Sequence, residues 1–206
     1  MDILTDPRAI ERKSMKIINE EIDQLSCTAK EEKIVKRVVH ATAEVELAHS
    51  VIIADKAVES GLEALKNGKN IVTDVNMLRA GINKRKAAAM GSEINCFISD
   101  EKIAQKAKKE GITRSMMCMR EAVQDPDNQI FAIGNAPTAL FELSRLVRDG
   151  AADPSLIIGT PVGFVGAAES KLELEKLEIP FITLRGRRGG SAVAASIVNA
   201  LLYMER

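Results

Sequence analysis

Two histidines, His40 and His49, are the imidazoles of this 206-residue chain, so proton exchange near neutral pH by imidazole falls to one of them. Arg37 stands three residues before His40 and Glu44 four after it, which on a continuous helix would put both charges on the imidazole's face. A histidine beside an apolar stripe also suits a structural role, and spacing alone does not choose between the two. His49 has a blander context. Ser14, among Arg12, Lys13 and Lys16, reads by itself as an ordinary polar-face residue. Arg185, Arg187 and Arg188 alternate with Gly186, Gly189 and Gly190. Such a loop is either a solvated basic turn or an anion clamp, because glycine lets backbone approach a ligand while guanidinium forks hold carboxylate or phosphate. Arg114 follows Thr113 in the first turn of an expected helix, where the helix dipole favours anions; a cation there points to an anionic partner. Asp74, at a strand end, suits a base or a hydrogen-bond acceptor, with no second carboxylate to pair with it.

Other chemistries lack their residues. No G-x-G-x-x-G follows the first strand, and G-x-x-x-x-G-K-[ST], H-E-x-x-H, a nucleophile elbow and a Ser-His-Asp order are missing. Cys27, Cys96 and Cys118 form no C-x-x-C pair and stand beside no histidine at metal-ligand spacing, so no metal site is expected and isolated thiols in a reducing cytoplasm are. Lys+Arg 29 against Asp+Glu 29 gives a formal charge of +0, and aromatics are 3%. Neither a basic field nor a stacking surface is available for nucleic acid. Asp2, Asp6 and Glu11 replace the cationic start of a secretory signal. The most apolar tract, Ser191–Met204, is interrupted by Ser196 and Asn199 and is too short to span a bilayer.

The elements that must position these residues follow from periodicity. Ile10, Ile17, Ile18, Ile22 and Leu25 form a helical stripe, and Thr28 with Glu31 makes a capping box before Ile34, Val35, Val38 and Val39. Two amphipathic helices are therefore expected before the sheet. From Ile52 onward, short apolar runs at Asn70–Asp74, Ile94–Ile98, Ile130–Ile133, Leu156–Ile158 and Phe181–Leu184 alternate with helical segments. That predicts an α/β fold: one domain over residues 1–206 with a mostly parallel central sheet and helices on both faces. Helix Ser191–Met204 is apolar on both sides, which predicts two covers, the second supplied by another subunit. Loops at Gly134–Pro137, Gly159–Gly163 and Arg185–Gly190 follow strands and open helices, so a ligand is expected at the carboxyl edge of the sheet.

Arg37-Val-Val-His40-Ala-Thr, Thr73-Asp74-Val, Thr113-Arg114-Ser, Ala132-Ile-Gly-Asn-Ala-Pro-Thr-Ala-Leu-Phe141, Gly159-Thr-Pro-Val-Gly-Phe-Val-Gly-Ala-Ala-Glu-Ser-Lys171 and Arg185-Gly-Arg-Arg-Gly-Gly-Ser191 resemble, in order, the motif blocks of the precorrin-8X (cobalt-precorrin-8) methylmutase family. The match runs from about Asp6 to Leu202. The resemblance implies an isomerase of cobalamin biosynthesis that moves a methyl group from C11 to C12 of a corrinoid, an α/β homodimer with no added cofactor. It implies His40 as the catalytic acid/base and Ser14 and Arg37 as substrate contacts; Arg114 and Arg187 match arginines of family motifs and are expected to contact substrate. Ala43 stands where many relatives have glycine, and Arg188 where some have Lys or Leu. An intramolecular methyl shift asks for no nucleophile, hydride carrier or metal ligands, in keeping with the missing motifs. A non-catalytic corrinoid carrier using the same pocket is the rival from another class, and a phosphate-binding doubly wound domain is a third reading.

Overall fold

A computed structural model describes residues 3–204; Asp2 lies outside the described residues. Helix α1 (Pro7–Glu21) starts where Asp6 accepts from the backbone N–H groups of Arg8 and Ala9, with proline at its first position. Helix α2 (Ala29–Thr42) starts at the expected capping box: Thr28 Oγ1 accepts from Glu31 N, and Glu31 Oε2 accepts from Thr28 N at 2.7 Å. A 3-10 turn, Val45–Ser50, then leads into strand β1 (Val51–Ile53).

The remaining elements alternate: α3 (Ala57–Lys66), β2 (Asn70–Thr73), α4 (Asn76–Gly81), α5 (Lys84–Ala89), β3 (Ile94–Asn95), α6 (Glu101–Glu110), α7 (Arg114–Ala122), β4 (Asn128–Ile133), α8 (Pro137–Arg148), β5 (Leu156–Gly159), α9 (Ala167–Leu174), β6 (Phe181–Leu184) and α10 (Ser191–Met204). The sheet order is β1-β6-β5-β4-β2-β3; β1 runs antiparallel to β6 and all other pairs are parallel. The expected mostly parallel sheet is therefore present. Two strands differ from expectation. The Ile94–Ile98 run keeps only two residues in the sheet, and β1 is a short edge strand that the apolar runs did not separate from the turn before it.

Helices cover both faces because successive strand residues point to opposite sides. Ile71, Ile130, Leu156, Ile158 and Ile182 pack with α3 and α10, whereas Val72, Phe131, Ile133 and Ile157 pack with α6, α7 and α8. On the first face the layers continue outward. Helix α10 lies against the sheet, α2 lies on α10, and α1 lies on α2 through Ile18, Val35, Val39 and the half-buried Met15. The second cover of α10 is thus α2, α3 and α4 of the same chain rather than another subunit. Among the described residues no helix is long and apolar enough to cross a membrane.

On the other face, Glu142 of α8 is buried at 2% exposure and accepts from Arg120 of α7 at 2.6 Å and Arg145 of α8 at 2.7 Å. Burial alone would raise its proton affinity, but the hydrogen bonds from Arg145 and Arg120 outweigh burial and hold the carboxyl below its ordinary range. A group whose folded value is depressed contributes stability above its unfolded titration range and loses it as pH falls through the folded value. Glu142→Gln is expected to cost about 1–3 kcal/mol at neutral pH. In denaturant titrations from pH 7 downward, the gap between variant and wild type should close once the pH passes below the usual glutamate range; a gap of constant size would remove the charge from the account.

Candidate active site

The loops at the carboxyl edge lie where open α/β sheets hold ligands, and there the chain has closed the crevice with its own side chain. Strand order reverses at β2, with β4 on one side and β3 on the other. Asp74, which follows β2 and is 1% exposed, accepts from the backbone N–H groups of Gly134 at 3.1 Å, Asn135 at 2.8 Å and Ala136 at 2.7 Å. These donors belong to the loop that leads into α8, the last of them to its N-cap residue Ala136. Burial pushes the Asp74 carboxyl above its ordinary range and the three donors pull it back part of the way. Asp74 is therefore an internal acceptor that welds two loops together, and the expected ligand position at this point of the edge is taken.

An open cleft instead lies in the outermost layer, between α1 and the end of α2. Ser14, Ile17, Ile18, Glu21, Val39, His40, Ala43 and Val45 line a space of about 380 Å³. Ser14 is half-buried and His40 exposed, so a polar hydroxyl and an imidazole border a mostly apolar wall. The geometry follows from local sequence. Ser14, Ile17 and Ile18 repeat at helical spacing on α1, as do Val39 and Ala43 at the end of α2, so the two helices turn matched faces to the gap.

Helix α2 ends at Thr42, two residues short of Glu44. Ala43 caps it with φ 56 and ψ 25, in the left-handed region. Glu44 therefore leaves the His40 face and pairs with Arg188 Nη1 at 2.7 Å, with Glu46 at 3.8 Å from the same guanidinium. Glu44 stands between the cleft residues Ala43 and Val45, so this ion pair ties the arginine loop to the segment that borders the cleft. Within the loop, the Arg187 guanidinium lies over the Phe164 ring at 5.7 Å from its centroid, and the Arg187 carbonyl accepts from Gly163 N at 3.2 Å. Phe164 and Val165 are 85% and 89% exposed, which leaves an apolar, cation-edged shelf in solvent.

The other singled-out residues lie elsewhere in the single chain. Arg37 pairs with Glu11 at 2.7 Å and lines a neighbouring cleft of about 350 Å³ with Met15, Lys33, Lys36, Tyr203 and Met204. Arg114 donates from Nη1 to the Ile98 carbonyl at 3.1 Å, beyond the end of β3, and lines neither cleft. His49 borders a third cleft with Cys27 and Arg185 beside β1. Burial pushes the Cys118 thiol up to about 11, with Cys96 adding to the effect, so this thiol is inert at neutral pH. Sequence reasoning did not anticipate Glu21 and Val45 as cleft residues, nor Lys171 as a buried cation. The apolar stripe of α1 carried a faint signal for the first, and Lys171 was marked only as the last residue of a family motif block, with no sign that it is buried.

Comparison with known proteins places this geometry in a class. Residues 9–204 match the family model of precorrin-8X methylmutase. The cobalt-precorrin-8 methylmutase of Priestia megaterium is 46% identical over 97% of this chain and 88% of its own length, and that of Leptospira interrogans is 42% identical over 96% and 93%. A crystal structure of precorrin-8X methylmutase from Thermus thermophilus superposes with a TM-score of 0.89 at 33% identity, covering 96% of this chain and 95% of that one. The fold and these likenesses define an isomerase that moves a methyl group within one molecule. The chain belongs to the precorrin-8X methylmutase family.

The left-handed conformation of Ala43 carries a cost: a Cβ there meets the following carbonyl, at about 1–2 kcal/mol. Ala43→Gly is expected to raise unfolding free energy by about 0.5–1 kcal/mol, the relief being partly offset by the greater freedom of glycine in the unfolded chain. Equilibrium denaturation measures it; a destabilised variant would contradict the assigned cap.

Proposed function

We propose that the chain converts precorrin-8 or its cobalt complex by moving the ring-C methyl group from C11 to C12, with His40 as the proton-handling residue. The observation that carries this reading is the shared cleft: an exposed imidazole and the Ser14 hydroxyl border an apolar wall, with Arg188 fixed at the rim by Glu44. The wall supplies apolar contact for the edge of a macrocycle. The methyl shift itself stays within the substrate, so the protein need only hold the ring and favour the protonation state that rearranges. His40 gives a proton to, or shares one with, the ring-C nitrogen region and so selects the tautomer, a role worth about 100-fold to 10,000-fold in rate.

The arginines supply register. A charge-assisted contact to a peripheral carboxylate is worth about 1.5–3 kcal/mol. Arg37 is paired with a half-exposed Glu11, and exposed pairs of this kind contribute about 0–1 kcal/mol, so a substrate carboxylate can displace Glu11 at small cost. Arg187 is free at its guanidinium to turn from Phe164 toward an acid side chain. Catalysis rather than carriage is favoured because a carrier has no use for an imidazole set beside the bound ring. The three cysteines are unpaired, which suits a protein of the reducing cytoplasm.

The enzyme works as a homodimer in this reading. The His40 cleft is open on one side and too small to enclose a corrinoid with its acid side chains. Arg114, on another part of the single chain, reaches such a ligand from a second copy.

Two experiments test these assignments. Incubation of the wild type with precorrin-8, and separately with its cobalt complex, should change the visible spectrum as conjugation is rearranged; His40→Ala should slow the change by about 100-fold or more while corrinoid affinity is kept. Arg37→Ala and Arg187→Ala should weaken binding instead. A fully active His40→Ala protein would refute the role of the imidazole. In the second experiment, His40→Ala and Arg114→Ala proteins are unfolded, mixed and refolded together. If Arg114 acts across the dimer, mixed dimers hold one intact site and about a quarter of wild-type activity returns. No recovery, with mixed dimers demonstrated, would place both residues in one protomer's site or remove Arg114 from it.

A further inference from the structure

Lys171 of α9 is 1% exposed, among the largest fully buried side chains, and its Nζ donates to the Arg188 carbonyl at 2.8 Å. A lysine stem buried to this extent loses the hydration of its ammonium, and burial pushes its proton affinity down to about 8. Such a cost is kept only where the ammonium does something an apolar side chain cannot.

The acceptor identifies that task. Arg188 lies in the Arg185–Gly190 loop, whose backbone is held in unusual conformations at Gly186, φ 77, Gly189, φ 154, and Gly190, φ 119. A Cβ at Gly189 would collide with the Thr160 carbonyl oxygen, so the loop is pressed against the segment that follows β5. Gly190 N donates to the Thr160 carbonyl at 2.8 Å, and Gly163 N donates to the Arg187 carbonyl at 3.2 Å. Lys171 adds a side-chain donor to this backbone and reaches it from the buried side, while Glu44 holds the Arg188 side chain from the exposed side. The carbonyl of Arg188 points inward and its guanidinium outward.

We propose that Lys171 is a positioning residue that locks the Arg185–Gly190 loop so that the guanidinium groups of Arg187 and Arg188 face the carboxylates of a polyacidic ligand. The proposal deepens the reading of this site as a corrinoid site and rests on it for the ligand's identity. The buried ammonium does not touch the ligand. It pins the Arg188 backbone carbonyl by a hydrogen bond, and without that donor the segment before Gly189 would be free to swing Arg187 and Arg188 away from the cleft. Its effect therefore falls on binding and not on the methyl shift.

The test uses the full-length protein with Lys171→Met, which keeps the stem and removes the ammonium, and Lys171→Gln, which keeps a shorter donor. Amide hydrogen exchange is followed at Gly163 and Gly190, and steady-state kinetics are measured with precorrin-8 and its cobalt complex. Expected for Lys171→Met are at least tenfold faster exchange at both amides with the helices of the opposite face unchanged, KM raised at least tenfold, and kcat within threefold of wild type. Lys171→Gln should fall between, and it is the variant read if Lys171→Met does not fold. Unchanged exchange at Gly163 and Gly190 in a folded variant would overturn the proposal, as would a collapse of kcat with KM unchanged. If the wild type turns over neither corrinoid, the substrate assignment fails while the exchange arm still decides what Lys171 does.

Discussion

The carboxylate of Asp74 under the N–H groups of Gly134, Asn135 and Ala136 ties the loops after β2 and β4 together at the point where strand order reverses. In an open α/β sheet the point where strand order reverses is the ready-made anion site, because helix-opening amides there have no partner of their own. Here one residue, contributed by the strand on the other side of that point, takes all three donors at hydrogen-bonding distance. The consequence is twofold. The loops after β2 and β4 are tied across the sheet, and three N–H groups of the loop before α8 are already partnered.

The groups proposed to act on substrate are carried on the layers stacked outside the sheet. Helix α10 is apolar on both sides because it is covered on both sides by its own chain, with the strands beneath and α2 above. That burial is what places α2 far enough from the sheet for α1 to pack on its outer side, and the gap between α1 and the end of α2 is the cleft of Ser14 and His40. The short cap at Ala43 then turns the chain so that Glu44 meets Arg188. Imidazole, hydroxyl and the arginine loop thus come from three separate parts of the chain, joined by one helix end.

How much of this was legible follows from how local each cause is. The Thr28 and Glu31 capping box, the start of α10 and the whole of β6 depend on neighbours within a turn or on an uninterrupted apolar run, and they stand as read. The early end of α2 was hidden because Ala43 lacks the glycine that usually announces a left-handed cap, and a helix continued on paper put Glu44 beside His40. β3 was overestimated because Cys96, Phe97 and Ile98 are half-buried beside the opposite-face core without pairing in the sheet. The role of Asp74 spans some 60 residues of chain, and no spacing rule reports it. His40 and the arginine loop were legible as candidates from residue type, and the resemblance to the family singled out His40 and Ser14; that Ser14 and His40 share one wall, and that Arg37 and Arg114 do not, required the packing of α1.

The account reduces to the claim that the macrocycle sits against the α1 and α2 wall and not over the carboxyl-edge crevice that Asp74 has closed. A crystal structure of the complex with the rearranged corrinoid tests this most directly. The account predicts a ring edge against Ile17, Val39 and Val45, with the His40 imidazole about 3 Å from a ring-C atom or one water away. A corrinoid lying over Asp74 and the Gly134–Pro137 loop, with the Ser14 and His40 cleft empty, would contradict it.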